Sequence, residues 1–124
     1  MLRFCNAELV RENYFHAVLE ATKSIADKLR ACTGLTQDGA NLVDCALGGE
    51  SPKIAINNLS TDSERSEQSG FADIVRGVFK MFRNKIAHDA RVHSAMNKDD
   101  VADLLSLASL IHRRLDTRPM LKGV

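Results

Sequence analysis

Hydrophobic residues along the chain recur at three- and four-residue intervals, the period of an amphipathic helix. Val10, Tyr14, Phe15, Val18, Leu19, Thr22, Ile25, Ala26 and Leu29 gather on one face of a wheel stepping ~100° per residue. His16, Glu20, Lys23, Asp27 and Arg30 fall on the other face. Asn6 can cap this helix, which runs to about Cys32 and is stopped by Gly34. Asp38 then caps a short second helix, "GANLVDCAL", ending at Gly48-Gly49. The stretch "ESPKIAINNLS" holds Pro52 and two Asn, and reads as a loop with room for one helical turn.

A third helix starts near "STDSERSEQSGF", where Asp62, Glu64 and Glu67 suit the positive end of the helix dipole. Its apolar stripe is Phe71, Ile74, Val75, Val78, Phe82 and Ile86, while Gly70 and Gly77 either weaken it or permit close packing. Asn97 with Asp100 offers a cap for the last helix, whose broad face is Val101, Leu104, Leu105, Ala108, Ile111 and Leu115. No strand pattern and no repeat interrupts this order. The prediction is an all-α bundle of four main helices with a short extra helix. It forms one domain over 1–124, with an ordered core at about 6–116 and a flexible tail at 117–124.

Composition narrows the class further. Aromatics are few, with five Phe, one Tyr and no Trp, so the core must rest on Leu, Ile, Val and Ala. Seventeen Lys and Arg against sixteen Asp and Glu leave a net charge of +1, so any attraction to nucleic acid must come from a local patch. No apolar run approaches the roughly 18 residues of a membrane span, and "MLRFCNAELV" lacks the apolar core of a signal peptide. Cys5, Cys32 and Cys45 are an odd number without CxxC spacing, which predicts reduced thiols rather than a disulfide or a zinc site. The expectation is a cytoplasmic domain with no membrane association, no metal and no cofactor.

The stretch that could carry chemistry is "KMFRNKIAHDARVH", Lys80 to His93. If the third helix runs straight, Arg83 lies ~100°, Asn84 ~160° and His88 ~120° from the centre of its apolar stripe. Asn84 and His88, four apart, share a face. Arg83 and His88 are ~140° out of alignment, so a single straight helix does not aim both at one atom. Two copies about a two-fold axis could line one cleft with both.

A guanidinium holds phosphodiester oxygens with a bidentate fork, and an imidazole with a pKa near 6.5 can move a proton at neutral pH. Together they suit RNA cleavage by the strand's own 2′-hydroxyl, with no metal. Arg76, Lys80, Lys85 and Arg91 make the neighbourhood basic, opposed by Asp73 and Asp89, which gives a patch able to track phosphates. The plainer reading is a cationic helix end that complements the dipole.

Within this stretch, "FRNKIAH" resembles the Arg-Asn-x-x-x-His signature of the HEPN superfamily. The segments "ENYFHAVLEATKSIADKLR", "TGLTQDGANLVD", "SERSEQSGF" and "IHRRLD" resemble, in order, the Ymh family of prokaryotic proteins placed in that superfamily. The resemblance covers about residues 6 to 116. It implies a HEPN-like helical bundle that dimerises around paired Arg/His motifs, often as a metal-independent endoribonuclease of toxin–antitoxin, abortive-infection or other phage-defence systems.

Carried over, Arg83 would bind the scissile phosphate, His88 would act as general acid or base, and Asn84 would orient phosphate or histidine. Lys80, Lys85 and Arg91 would contact RNA phosphates. Lys85 departs from the Pro common at that place. RNA, a second copy and an antitoxin or defence partner are the implied partners. The alternative is a non-catalytic HEPN module that dimerises or binds RNA or a nucleotide. Ymh-type domains are often the C-terminal part of a longer protein, and the same is expected here.

Other candidates read as structural. His16 and Glu20, four apart, could form half a metal site but have no second pair, so a solvated or interhelical role is expected. His93 is expected at the surface and His112 at the edge of the last helix's core face. Arg113, Arg114 and Arg118 either extend a basic surface or compensate a helix end. Asn57, Asn58 and Ser66-Glu67-Gln68 resemble the family without a chemistry that spacing assigns.

Overall fold

A computed structural model describes residues 7–83 and 98–119. Helix α1 spans Ala7–Thr33, α2 Gly39–Leu47, α3 Asp62–Val78 and α4 Lys98–Asp116. A π-helical turn, Phe79–Arg83, continues α3. The protein is an all-α bundle, and among the described residues there is no strand. Among these residues, too, no helix is long and apolar enough to cross a membrane.

Local chemistry sets the helix ends. Thr33 closes α1 by donating its hydroxyl to the Leu29 carbonyl at 2.8 Å, and Gly34 takes the left-handed conformation, φ 77°, that ends the helix without a Cβ penalty. Asp38 caps α2, its carboxylate accepting from the Gly39 N–H at 2.8 Å. Gly48 follows α2 so closely that a Cβ there would stand 2.8 Å from the Asp44 carbonyl oxygen, so only glycine fits. Thr61 caps α3 by accepting from the Glu64 N–H at 3.0 Å. The Glu64 carboxylate reaches back to the Ser60 N–H and hydroxyl, a variant of the capping box. The Ser60 hydroxyl contributes most to holding the Glu64 carboxyl below its ordinary pKa.

The core lies between α1 and the other elements. Val18, Ile25, Ala26 and Leu29 of α1 are fully buried, together with Leu42, Val43 and Ala46 of α2 and Ile111 and Leu115 of α4. Thr22 is equally buried, and its hydroxyl is satisfied by the Val18 and Leu19 carbonyls, both at 3.1 Å. Helix α4 runs parallel to α1: the Ser24 hydroxyl meets His112 at 2.9 Å, and Lys28 meets Asp116 at 2.5 Å. Helix α3 runs antiparallel to α2, with Arg76 against Asp44 near one end and Gln68 against Leu47 near the other.

Three expectations change. The 48–61 segment contains no helical turn, and its Ile54, Ala55 and Ile56 are core residues, 2 to 5% exposed. The buried arc of α3 is Gln68, Phe71, Ala72, Val75 and Val78, continued by Phe79; Ile74 is 42% exposed. That arc is rotated from the stripe predicted from the large apolar residues alone. On α4, Leu105 is likewise outside the core at 43% exposed, whereas Val101, Leu104, Ala108, Ile111 and Leu115 lie inside it. Of the tail expected to be flexible, residues 120–124 lie outside the described residues, as does the expected cap Asn97.

Candidate functional site at the end of α3

The Arg-Asn-x-x-x-His motif begins where α3 changes geometry. A π turn closes i→i+5 hydrogen bonds and so holds one residue more than an α-turn, a form that recurs at functional sites. Here it comes just after Gly77, a residue that resists backbone distortion least. Its first residue, Phe79, is fully buried in the main core, and the turn packs on both α1 and α2. Phe82 is half-buried against the core, while Met81 is 65% exposed and Lys80 is exposed.

Arg83 is the last residue of the turn. Asn84, Lys85, His88 and Arg91, with Asp89 and His93, lie outside the described residues. Of the candidate site residues, the described part of the protein therefore contains Lys80 and the backbone of Arg83. The angles assigned to Arg83, Asn84 and His88 assumed a straight α-helix. The described helix ends instead in the π turn, so that assumption fails at Arg83, and the angles for Asn84 and His88 fall outside the described residues.

The electrostatics around the turn also differ from the sequence neighbourhood. Arg76 was expected to add to a basic patch, yet its guanidinium is committed. Nε and Nη2 donate to Asp44 at 2.9 and 2.5 Å, and Nη1 donates to Asp73 at 2.6 Å. The Asp44 carboxylate is the main cause of its raised pKa. Across from the turn, Asp100 and Asp103 of α4 join Met81, Phe82, Leu104 and Leu107 around a cleft of about 270 Å³. Two carboxylates distant in sequence thus adjoin the start of the motif. A second cleft, about 260 Å³, lies between the end of α2 and α3 and contains Arg65 and Arg76. Arg65 there donates to the Leu59 carbonyl and to Asp62, so both cations are already engaged.

The remaining candidates have structural partners. His16 is exposed and meets the Phe15 ring edge-on, centroids 5.6 Å apart, while Glu20 lies 4.0 Å from Lys23. Among the described residues, no group of three or more His, Cys, Asp or Glu is placed to hold a metal. The Ser24 hydroxyl gives its proton to the Ala21 carbonyl at 2.7 Å, so its oxygen accepts from His112 Nε2–H. Burial and, next, the Lys28 ammonium push the His112 pKa down. Arg114 pairs with Glu67 at 2.6 Å, and Arg118 donates to the Leu115 carbonyl and to Cys32 Sγ at 3.6 Å. These two arginines serve the helix end rather than an open basic face. Cys32 and Cys45 are unbridged thiols.

The residues that spacing left without a role form a clamp. Gln68 is 4% exposed; its Oε1 accepts from the Ile56 N–H at 2.8 Å, and its Nε2 donates to the Leu47 and Ile54 carbonyls at 2.9 Å each. Asn57 donates to the Glu64 carbonyl and to Glu67, which also receives Arg114. One helix turn of α3 thus ties the 48–61 segment to α2 and α4. The available signal was a polar residue on the core side of α3, three before Phe71.

A family model described as "Protein of unknown function (Hypoth_ymh)" matches residues 1–115. The chain belongs to the Ymh family. No curated protein and no solved structure matches it. The Ymh match spans the bundle to Leu115, including the Gln68 clamp and the π turn, and its description carries kinship without an activity.

Proposed function

We propose that this Ymh-family domain is a cytoplasmic, metal-independent endoribonuclease of the HEPN type, working as a homodimer whose composite site pairs Arg83 and His88 of both copies. In the reaction, one imidazole takes the 2′-hydroxyl proton as that oxygen attacks phosphorus. An imidazole returns a proton to the departing 5′-oxygen, and Arg83 offsets the charge gathering on the phosphate. The products are a 2′,3′-cyclic phosphate and a 5′-hydroxyl. The setting the HEPN resemblance implies is phage defence or a toxin–antitoxin pair, with an antitoxin as a further partner. The observation that supports the reading is that Arg83, the first residue of the Arg-Asn-x-x-x-His motif, ends a π turn whose Phe79 is buried in the core.

A second reading, a non-catalytic HEPN module, is favoured by the local charge. Arg76 is engaged by Asp44 and Asp73, and Asp100 and Asp103 line the adjoining cleft, which opposes the approach of RNA phosphates. Incubating the purified domain with a mixed single-stranded RNA pool in EDTA decides between them. Cleavage that leaves cyclic phosphate ends, and that disappears in Arg83→Ala and His88→Ala variants of matched dimer content, is the expected result. Absence of cleavage together with RNA binding indifferent to both substitutions would transfer the case to the binding module.

A further inference from the structure

The cleft of about 260 Å³ between the end of α2 and α3 takes no residue from the π turn. Its floor is apolar: Leu47 and Ala72 are buried there, and Leu59 is half-buried. On the α2 side, Gly48 and Gly49 add no side chain to the rim. Leu59 holds a left-handed conformation, φ 56°, which no other non-glycine among the described residues adopts. Such strain costs about 1 to 3 kcal/mol and gathers at ligand clamps. Here the Leu59 carbonyl accepts from Arg65 Nη1 at 3.1 Å and so fixes that guanidinium at the rim.

The rim charges differ in what they have left to give. Arg76 spends Nε, Nη1 and Nη2 on Asp44 and Asp73. Arg65 uses two of its five donors, one of them in an exposed ion pair with Asp62, a kind that contributes little and exchanges readily. Glu50 and the Ser69 hydroxyl make no hydrogen bond or ion pair among the described residues. Asp73 receives Arg76 on Oδ1, which leaves Oδ2. Arg65, Ser69 and Asp73 follow one another at four-residue spacing within the regular part of α3 and form one row, with Glu50 on the α2 side of the cleft.

We propose that this cleft binds a free apolar α-amino acid. The ligand carboxylate accepts from Arg65 and the Ser69 hydroxyl. Its ammonium donates to Glu50 and to Asp73 Oδ2, and its side chain covers Leu47, Leu59 and Ala72. A plain anion would meet Glu50 and Asp73, and a plain cation would meet Arg65 and Arg76, so like charge disfavours both. A zwitterion answers each sign. The volume falls just below the ~300 to 1,000 Å³ of drug-sized sites, which suits a smaller molecule. The site depends on neither RNA cleavage nor a homodimer, so it stands or falls apart from the proposed function.

The full chain, labelled with nitrogen-15, would be titrated with leucine, valine, methionine and phenylalanine while the Gly49, Ser69 and Ala72 amide signals are followed. The same titration with N-acetyl-leucine removes the ammonium, and with leucinamide the carboxylate. The free amino acid should bind at least about tenfold tighter than either analogue, the scale of one lost charged hydrogen bond. Glu50→Gln should abolish the advantage over N-acetyl-leucine and keep that over leucinamide. Arg65→Gln should do the reverse, a crossed pattern that misfolding would not give. If none of the four amino acids moves these signals at its highest soluble concentration, or if leucine and its two analogues bind alike, the site is overturned. Substitutions that weaken all three leucine compounds equally would overturn the assigned contacts.

Discussion

Replacing Gln68 with methionine keeps the length and approximate volume of the side chain while removing every hydrogen bond it makes. Three buried backbone groups then lose their partner: the Ile56 N–H and the Leu47 and Ile54 carbonyls. A buried polar group left unsatisfied costs about 1 to 3 kcal/mol. Local relaxation favours the lower end, which gives a loss of ~3 kcal/mol, a large share of the 5 to 15 kcal/mol typical of a domain. At ~2.1 cal/mol/K of unfolding entropy per residue, this chain should lose ~11 °C in Tm.

Thermal and urea unfolding followed by circular dichroism at 222 nm would measure it, with the urea slope unchanged if the native fold persists. Gln68→Glu should be worse near pH 7, because a carboxylate would face two carbonyls in the core. Its burial raises the folded-state pKa, so the lost stability should return as pH falls and the carboxyl regains a proton to donate. A Gln68→Met variant within ~1 kcal/mol of wild type would refute the clamp, and with it the physical reason for the rotation of α3.

Phe79→Ala should lose about 3 to 5 kcal/mol by emptying a core site, whereas Met81→Ala two residues on, measured in the same denaturation, should stay within ~0.5 kcal/mol. For His112 the folded pKa is depressed, so its contribution to stability is complete above the ordinary value of 6.5 and is lost as pH falls through the folded value. The groups facing it are Ser24 and Lys28 of α1 and Asp116 of its own helix. Stability measured from pH 7 down to pH 5 should fall more steeply in wild type than in His112→Gln; equal slopes would refute the assignment.

What could be read in the chain was what neighbours in sequence decide. The end of α1 and the bounds of α2 follow from Gly34, Asp38 and Gly48, each acting within a few residues through a cap or a backbone constraint. The start of α3 follows from Thr61 and Glu64 in the same way. The Arg83 to His88 motif was legible as a string of residue types, although the π turn that ends at Arg83 was not. The π turn depends on how Phe79 is received by α1 and α2, and no local period encodes that reception.

The all-α class and the order of helices were therefore determined by the sequence alone, because helical period and capping are short-range. Only the tertiary structure decided which arc of α3 faces inward. A glutamine enters a core when backbone groups from Leu47, Ile54 and Ile56 converge to satisfy its amide, and they converge only after the 48–61 segment has folded against α2 and α3. That convergence turns Ile74 outward and Phe79 inward. The same folding brings Asp44 to Arg76, and Asp100 and Asp103 to the cleft beside the motif. Charges far apart in the chain thus set the local field, since a Coulomb interaction depends on separation in space.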